Sequence, residues 1–418
     1  MFTEAFIVMN EEKLIPHLFR TEYRKIVAVL CKSFGMEHIE TAEDIASDTF
    51  LQAAETWGIK GLPENPAAWL YTVAKNKAKN HLKRDKILSE KIIPQIKYDS
   101  ASTEEAEIDL SEANIRDSQL QMMFAVCHPI IAAEAQIALA LRVLCGFGID
   151  EIASAFLTNK ETINKRLFRA KEKLRAENIA VEMPSAGEID DRLDAVLRTL
   201  YLLYNEGYYT SQSEKVLRKE LCHEAMRLTF LLTENEQTNL PKVNALFALM
   251  SFHASRFDTR TDDKGNLVLY DEQDETLWDK NLIQQGEYFL QQSSQGTQLS
   301  KYHLEAGIAY WHTCKDDTKE KWENILQLYN QLLILEYSPV IALNRTYALS
   351  KANSIEEAIA EAEKLQLNEN HLYHTLLGEL YKDKDVPKAL AHFAAALKLA
   401  KTQEDKNLIQ QKTQRLIC

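Results

Sequence analysis

Two apolar stripes with helical spacing lie on either side of a four-residue break in residues 149–175. The stripes consist of Ile149, Ile152, Ala153 and Phe156 before the break, and of Ile163, Leu167, Ala170 and Leu174 after it. Because spacings of three and four residues place side chains on one helix face, the pattern predicts two helices. The connection LTNK is so short that the helices must pack as neighbours, so the segment is predicted to be a helix-turn-helix unit.

The second of these helices is strongly basic. Residues 160–175 contain seven Lys or Arg and two Glu, although the whole chain has a net charge of −13 and a pI of about 5.5. A basic second helix is typical of a recognition helix, whose cations neutralise DNA phosphates. A basic solvated hairpin in an all-α protein would look the same, so this segment alone leaves both interpretations open.

A second basic helix is predicted about 85 residues earlier. Residues 66–86 contain six Lys or Arg and one acid, with Pro66 placed for the first helical turn. Between the two basic helices, residues 98–117 carry seven acids and one base, which is typical of a linker. Two basic segments around an acidic connection favour DNA binding over a chance basic face.

Composition favours helix throughout the chain. Only 12 Gly and 9 Pro occur in 418 residues, whereas the strong helix formers Ala, Leu, Glu and Lys abound. We therefore predict an all-α fold of two small helical domains and a larger C-terminal one. Its predicted parts are residues 1–88, an acidic linker at 89–117, a helix-turn-helix domain at 118–180, and a helical extension at 187–418.

A weak repeat marks the extension. The pattern small-x-x-Tyr ends at Tyr310, Tyr347 and Tyr381, which are 37 and 34 residues apart. In the last copy a small residue, Gly378, would let its helix approach a partner while the tyrosine fills the groove, as in tetratricopeptide (TPR) repeats. Chance recurrence in Ala-rich helices is the alternative explanation.

Several classes of protein are not favoured. The six cysteines are scattered without a C-x-x-C pair, so neither a disulfide framework nor a zinc site is expected. No signal peptide and no stretch of about 20 apolar residues is seen, so we expect a cytoplasmic protein without a membrane segment. We expect no metal, no cofactor and no catalytic activity.

Taken together, three segments resemble an extracytoplasmic-function (ECF) sigma factor, the initiation subunit of bacterial RNA polymerase. AEDIASDTFLQAAETW (42–57) is similar to region 2.2, which binds the polymerase clamp. WLYTVAKNKAKNHLKR (69–84) is similar to regions 2.3 and 2.4, which open and read the minus-10 element. The helix-turn-helix segment (149–174) is similar to region 4.2, which reads the minus-35 element.

The resemblance is closest to the subgroup with a long TPR-like extension. It extends over residues 121–147, 191–211, 249–260 and 270–279, and so covers nearly the whole chain. Asn159 stands where the subgroup usually has Pro, and Asn164-Lys165 replaces a small residue and Gln. These departures concern the minus-35 sequence that is read and leave the family resemblance intact.

The resemblance implies a DNA-binding role for the first basic helix. Trp69 and Tyr71 would stack on a base that has left the duplex, although Trp69 could instead be a core residue. Asn76 and Asn80, four residues apart, would hydrogen-bond base edges. The predicted phosphate contacts are Lys75, Lys79, Lys83 and Arg84.

The recognition helix would enter the major groove by its N-terminal residues. The predicted base contacts are Lys160, Glu161, Asn164 and Lys165. The predicted phosphate contacts are Thr162, Arg166 and Arg169. An ion pair between helices is the alternative role for Arg166.

Partner surfaces follow from the same resemblance. Contacts with the clamp of core RNA polymerase are predicted for Asp44, Asp48, Phe50 and Trp57. The last two could equally be core residues. Docking of the extension on the sigma domains is predicted for Tyr201, Tyr204, Asn205 and Tyr208. The other expected partners are double-stranded promoter DNA, the melted minus-10 strand, and a soluble protein on the extension.

A polar stripe in the extension leaves its role open. His253, Arg256 and Arg260 share a helix face, and the following segment carries acids that include Asp274 and Asp279. An ion-pair network is the favoured interpretation, and an anion-binding or catalytic site is the alternative. For the whole chain, the competing function is a helix-turn-helix regulator with a helical effector domain that never joins polymerase.

Overall fold

The structure is a computed structural model that describes residues 11–92, 108–209, 215–260, 262 and 268–417. Within these residues the chain is helical and has no strand, which confirms the predicted all-α class. The chain divides into two compact units, Met1–Thr238 and Asn239–Cys418.

In the described residues of unit 1, a 3-10 turn (Met36–His38) accompanies nine α-helices and a π-helical turn. They are α1 (Glu11–Phe34), α2 (Ile39–Lys60), α3 (Pro66–Ile92), α4 (Glu112–Val126), α5 (Ala133–Leu139), the π-turn (Ala140–Leu144), α6 (Ile149–Ala155), α7 (Lys160–Ala176), α8 (Ile189–Tyr209) and α9 (Lys215–Thr233). Helix α1 lies at the centre of the first half and packs against α2, α3 and α4. Its Tyr23, Ile26 and Leu30 are fully buried.

Local signals determine where the predicted helices begin. Pro66 is the first residue of α3, and the side chain of Asn65 accepts a hydrogen bond from the Ala68 amide at 3.0 Å. Asn159 caps α7 by accepting from the Thr162 amide at 2.8 Å. Both side chains satisfy an amide that has no partner within its helix. The helix-turn-helix boundaries therefore lie where the apolar stripes predicted them.

The predicted acidic linker is only partly a linker. Residues 93–107 lie outside the described residues, but Glu112–Asp117 form the start of α4, so the linker prediction is wrong there. Ser111 caps this helix, and Ile115 and Leu120 are buried. Burial of this apolar stripe on α1 outweighs the local charge density.

The predicted extension is divided between the two units. Helices α8 and α9 form a hairpin within unit 1, and α8 packs against α4 and α5. Tyr204 and Tyr208 are buried there with rings stacked at 5.7 Å, while Tyr201 and Asn205 are half-buried. The hairpin thus belongs structurally to the helix-turn-helix part of the chain.

Unit 2 is a succession of helices that pack on their neighbours along the chain. They are α10 (Pro241–Ala254), α11 (Lys280–Ser293), α12 (Lys301–Trp311), α13 (Lys319–Leu335), α14 (Pro339–Ala352), α15 (Ile355–Lys364), α16 (His371–Tyr381), α17 (Val386–Leu399) and α18 (Gln403–Ile417). Gly378 makes the close approach of α16 and α17 possible, because a Cβ there would lie 2.6 Å from the Phe393 ring. Of the repeat tyrosines, Tyr381 is buried, whereas Tyr310 and Tyr347 are 38% exposed.

Candidate nucleic-acid interface

Helix α7 has one buried face and one charged face. Ile163, Leu167 and Leu174 are buried, as their spacing predicted. The outward-facing residues at its N-terminal half are Lys160, Glu161, Thr162, Asn164, Lys165 and Arg169, all exposed. All six were predicted to contact DNA, and the structure leaves their side chains accessible at one surface.

Both lysines of this surface, Lys160 and Lys165, form exposed ion pairs. Lys165 Nζ lies 2.6 Å from Glu161, and Lys160 Nζ lies 2.6 Å from Asp150 on α6. Exposed pairs of this kind contribute about 0–1 kcal/mol, so a DNA phosphate or base can replace the carboxylate at little cost.

Arg166 has a different environment from its neighbours. Its guanidinium lies 5.1 Å from the centroid of the Phe156 ring, and its Nη1 atom is buried without a hydrogen-bond partner. Within the described part of the chain it forms no ion pair, so the interhelical ion-pair alternative is wrong. This cation–π contact joins α6 to α7. Arg166 also lines a groove of about 500 Å³ with Lys165, Arg169 and Lys173, and no acid lines it.

A second polar surface runs along α3. Asn76 and Asn80 are exposed one turn apart, and Lys83 and Arg84 continue that exposed surface. Lys75 and Lys79 are half-buried at its side. The predicted base-reading amides and phosphate-binding cations therefore share one helix and one accessible region.

The two aromatic residues at the start of α3 point into the protein. Trp69 is half-buried, with its ring 5.3 Å from that of the buried Trp57. The Tyr71 hydroxyl donates a hydrogen bond to Glu22 of α1, and burial followed by the Glu22 charge raises the pKa of Tyr71. In this conformation Tyr71 joins two helices, so a stacking role for it would require that contact to break.

Two of the four α2 side chains that were predicted to contact the polymerase clamp are buried. Asp44 and Asp48 are exposed, but Phe50 and Trp57 are 4% and 5% exposed and belong to the core. Sequence reasoning overlooked Leu51 and Ile59, which are 59% and 86% exposed. Leu51 and Ile59 lie outside the helical spacing of the buried residues of α2, and this spacing could have identified them from the sequence.

The helix-turn-helix part and the α2–α3 part are joined by a cluster of charges that we call the Glu43 cluster. Its members are Glu40 and Glu43 of α2, Arg142 of the π-turn, and Lys171 and Arg175 of α7. Glu43 accepts from Arg142 Nε at 3.0 Å and from Lys171 Nζ, and it is 8% exposed. Glu40 lies 2.6 Å from Arg175 Nη2. The C-terminal half of the recognition helix is thus fixed to α2.

The α9 helix is attached to α1 by a second, more buried cluster. Arg24 Nη1 lies 2.5 Å from Glu224, which also accepts from Arg227 at 2.9 Å. The side chains of Arg24 and Glu224 are 8% and 14% exposed. Burial raises the pKa of Glu224, but the charges of Arg227 and Arg24 outweigh burial, so the pKa is lowered overall.

Replacing Glu224 with Gln is expected to destabilise unit 1 by about 3 kcal/mol, because Arg24 would remain buried without its counter-ion. A carboxyl group whose pKa is lower in the folded state stabilises the fold above its unfolded pKa, and this contribution is lost as the pH falls. Urea unfolding at several pH values measures the free energy of unfolding of the wild-type protein and of Glu224→Gln. The difference between the two free energies should be largest at pH 7 and should shrink below about pH 4.5. The control Glu234→Gln, at an exposed pair 3.9 Å from Arg116, should change stability by under about 0.5 kcal/mol. An equal effect of both variants would contradict this account.

In the ranges that the structure describes, no helix is long and apolar enough to cross a membrane. Those same ranges contain no group of three or more His, Cys, Asp or Glu side chains that could hold a metal ion.

Comparison with known proteins agrees with this arrangement. Residues 18–87 match the model of sigma-70 region 2, and residues 131–174 match that of sigma-70 region 4. Residues 192–294 match a family of unknown function, DUF6596. An uncharacterized protein of Rhizobium meliloti (strain 1021) is 33% identical over 350 residues, which is 82% of each chain. No solved structure matches the chain. With regions 2 and 4 in order and an accessible polar surface on each, the chain belongs to the sigma-70 family and has a role in promoter recognition.

Proposed function

We propose that this protein is an alternative sigma factor of the ECF type that binds core RNA polymerase and directs promoter recognition and opening. The observation that carries the proposal is the pair of exposed polar surfaces on α3 and α7, each within the matching sigma-70 region. The protein acts by binding in the cytoplasm and catalyses no reaction on its own.

Helix α7 reads the minus-35 element in the major groove. Lys160, Glu161, Asn164 and Lys165 contact base edges, and Thr162 and Arg169 contact phosphates. Arg166, which packs on Phe156, positions α7 on α6 and adds positive charge to the groove between α7 and α5.

Helix α3 reads the minus-10 element. Asn76 and Asn80 contact bases of the melted strand, while Lys75, Lys79, Lys83 and Arg84 follow its backbone. Trp69, which is only half-buried, supplies a stacking surface when its contact with Trp57 opens. Tyr71 remains a stacking residue only in a state in which its bond to Glu22 is broken.

The polymerase clamp binds the outer face of α2. Asp44 and Asp48 supply acidic contacts, and the exposed Leu51 and Ile59 supply the apolar ones. We assign this apolar role to Leu51 and Ile59 instead of Phe50 and Trp57, because the latter two are buried in the core.

The arrangement of unit 1 supports a closed state that opens on the promoter. The minus-10 and minus-35 elements are about 25 base pairs apart, which is roughly 85 Å at 3.4 Å per base pair. The Glu43 cluster holds α7 in contact with α2, so the two reading helices cannot span that distance while the cluster is intact. Opening of the cluster is therefore a step of promoter binding.

The extension modulates this activity in two parts. The α8–α9 hairpin docks on the sigma regions through Tyr204 and Tyr208, with Tyr201 and Asn205 at its edge. Unit 2 is a TPR-like module that binds a soluble protein partner.

Size-exclusion chromatography with core RNA polymerase tests the proposal. We expect the full-length protein to elute with the core enzyme and to start transcripts from a random promoter pool. Replacing Leu51 or Ile59 with Asp should prevent co-elution, whereas Leu157→Asp, at an exposed apolar position of region 4, should not. A protein that binds DNA but never elutes with polymerase would instead be a helix-turn-helix regulator.

A salt titration of promoter binding, combined with the co-elution assay, separates polymerase binding from DNA binding. Arg84→Ala should leave co-elution intact while lowering the salt slope of promoter binding by about one unit, because one phosphate contact is lost. An unchanged slope would exclude Arg84 from the interface.

A further inference from the structure

Two histidine side chains meet between helices α16 and α17 of unit 2. His374 lies on α16 and His392 on α17, and both are half-buried. Their Nδ1 atoms are 3.0 Å apart. The helices approach closely here because Gly378, one turn after His374, has no side chain that would collide with the Phe393 ring. The packing of the two helices therefore brings two imidazole nitrogens within reach of each other.

The hydrogen bonds of this histidine pair determine which ring nitrogens carry protons. His374 Nε2 lies 2.9 Å from the backbone carbonyl oxygen of Asn368. A carbonyl oxygen can only accept, so His374 Nε2 carries the proton, and Nδ1 of the neutral ring has a lone pair that accepts from His392 Nδ1. Histidines that bind metals usually donate their other ring N–H to a carbonyl or carboxylate in this way, which fixes the tautomer and the orientation of the ring.

The surroundings of the pair orient the second ring and do not repel a cation. The His392 ring stacks on that of Tyr381, with 4° between the planes and 5.8 Å between the centroids. Two charged side chains of opposite sign lie beside this stack. Glu363 accepts from the Tyr381 hydroxyl at 2.8 Å, and Lys388 Nζ is 5.0 Å from the centroid of the Tyr381 ring. Their charges offset each other at the histidine pair.

The distance between the two Nδ1 atoms selects a coordination geometry. A metal ion about 2.05 Å from each nitrogen, an ordinary metal–imidazole bond length, would bind them at an angle of about 94°. This angle is close to the value of about 90° in octahedral and square-planar complexes, and well below the value of about 109° in tetrahedral ones. The geometry therefore fits Ni²⁺ or Cu²⁺, which bind imidazole well, better than it fits tetrahedral Zn²⁺.

We propose that His374 and His392 together bind one divalent transition-metal ion of the Ni²⁺ or Cu²⁺ type. Each ring supplies the lone pair of its Nδ1 atom. The proton that His392 Nδ1 donates within the hydrogen-bonded pair moves to Nε2 of the same ring, so both rings stay neutral and no proton is released. In the part of the chain that the structure describes, no third His, Cys, Asp or Glu side chain completes the site. Water fills the remaining coordination positions, and the ion joins α16 to α17.

Isothermal titration of the full-length protein with Ni²⁺ at pH 7.5, where neutral imidazole predominates, tests this proposal. We expect one site whose affinity falls at least about 10-fold in His374→Gln and in His392→Gln. The matched control His371→Gln removes another histidine of α16, whose Nε2 is 3.6 Å from Asp405, and should leave the affinity within about twofold. Equal affinity in all four proteins would overturn the proposal and leave the two rings as a hydrogen-bonded link between helices.

Zn²⁺ and Cu²⁺ test the geometry on the wild-type protein itself. Zn²⁺ should bind more weakly than Ni²⁺, because an angle of about 94° suits a tetrahedral ion poorly. Tighter binding of Zn²⁺ would contradict the assigned geometry. Electron paramagnetic resonance of the complex with one equivalent of Cu²⁺ should show coupling to two imidazole nitrogens. A wild-type spectrum without this coupling would overturn the proposal, even if a glutamine variant failed to fold. None of these outcomes depends on polymerase or DNA binding.

Discussion

Ending the chain after Ala186 is expected to abolish transcription, although both sigma regions remain in the sequence. This truncation removes α8 and α9 and uncovers the faces of α4 and α5 on which α8 packs. Leu197, Leu200 and Tyr204 alone are at most 2% exposed in the full chain. Burial of each such side chain contributes about 1.5–3 kcal/mol, so the loss approaches the total stability of about 5–15 kcal/mol of an ordinary domain. We expect a fall of more than about 10 °C in melting temperature, with aggregation.

The matched control ends the chain after Thr238, the boundary of unit 1. This protein keeps the hairpin and should remain folded, with promoter binding within a few-fold of that of the full chain. Circular dichroism melting and reporter transcription measure both forms. Higher transcription from the shorter form would contradict the stabilising role of the hairpin and indicate that the extension inhibits the sigma regions.

Replacing Glu43 with Gln is expected to strengthen promoter binding about 10-fold or more. The substitution leaves Lys171 and Arg142 without their buried acceptor, and breaking one side of a buried pair costs about 3–5 kcal/mol when burial is complete. The part of this cost that belongs to Lys171 falls on the closed state alone, because Lys171 is hydrated when α7 leaves α2. If the closed state dominates, the apparent affinity rises as the open fraction increases. Promoter binding by fluorescence anisotropy measures the change.

Glu177→Gln serves as the control, since it removes the same charge from an exposed position at the end of α7. It should leave promoter affinity within about twofold. Small-angle scattering should show a larger radius of gyration for Glu43→Gln alone. Weaker promoter binding by Glu43→Gln, with an unchanged radius, would mean that the cluster supports the fold and does not restrain the reading helices.

Predictions from the sequence were most accurate where a single helix determines its own boundaries and its exposed face. The stripe from Ile163 to Leu174 and the Asn159 cap are local features, and they placed α7 and its outward-facing cations correctly. The Pro66 start of α3 and the exposed face of Asn76 and Asn80 follow from the same 3.6-residue period. Periodicity fixes which residues share a face, and that information is contained in neighbouring residues.

The sequence could not show the environment of a side chain whose neighbours come from a distant segment. Periodicity could not distinguish the buried Phe50 from the exposed Leu51 with certainty, because the choice depends on where α1 packs. The stacking role of Tyr71 stays a prediction, and nothing in the sequence indicated that Glu22, 49 residues earlier, binds its hydroxyl. Arg256 was predicted within an ion-pair network, yet its neighbours in space are Tyr270 and Trp278.

The helical class, the helix-turn-helix unit and the two basic surfaces could be predicted from the sequence, because propensity, caps and apolar spacing act over a few residues. The contact of Glu43 on α2 with α7, 128 residues away, and the place of the α8–α9 hairpin in unit 1 depend on tertiary packing. This packing also placed both Arg256 and Lys321 against the ring of Tyr270. Burial and charge compensation depend on which helices pack together, and that is settled by the free energy of the whole unit rather than by any one segment.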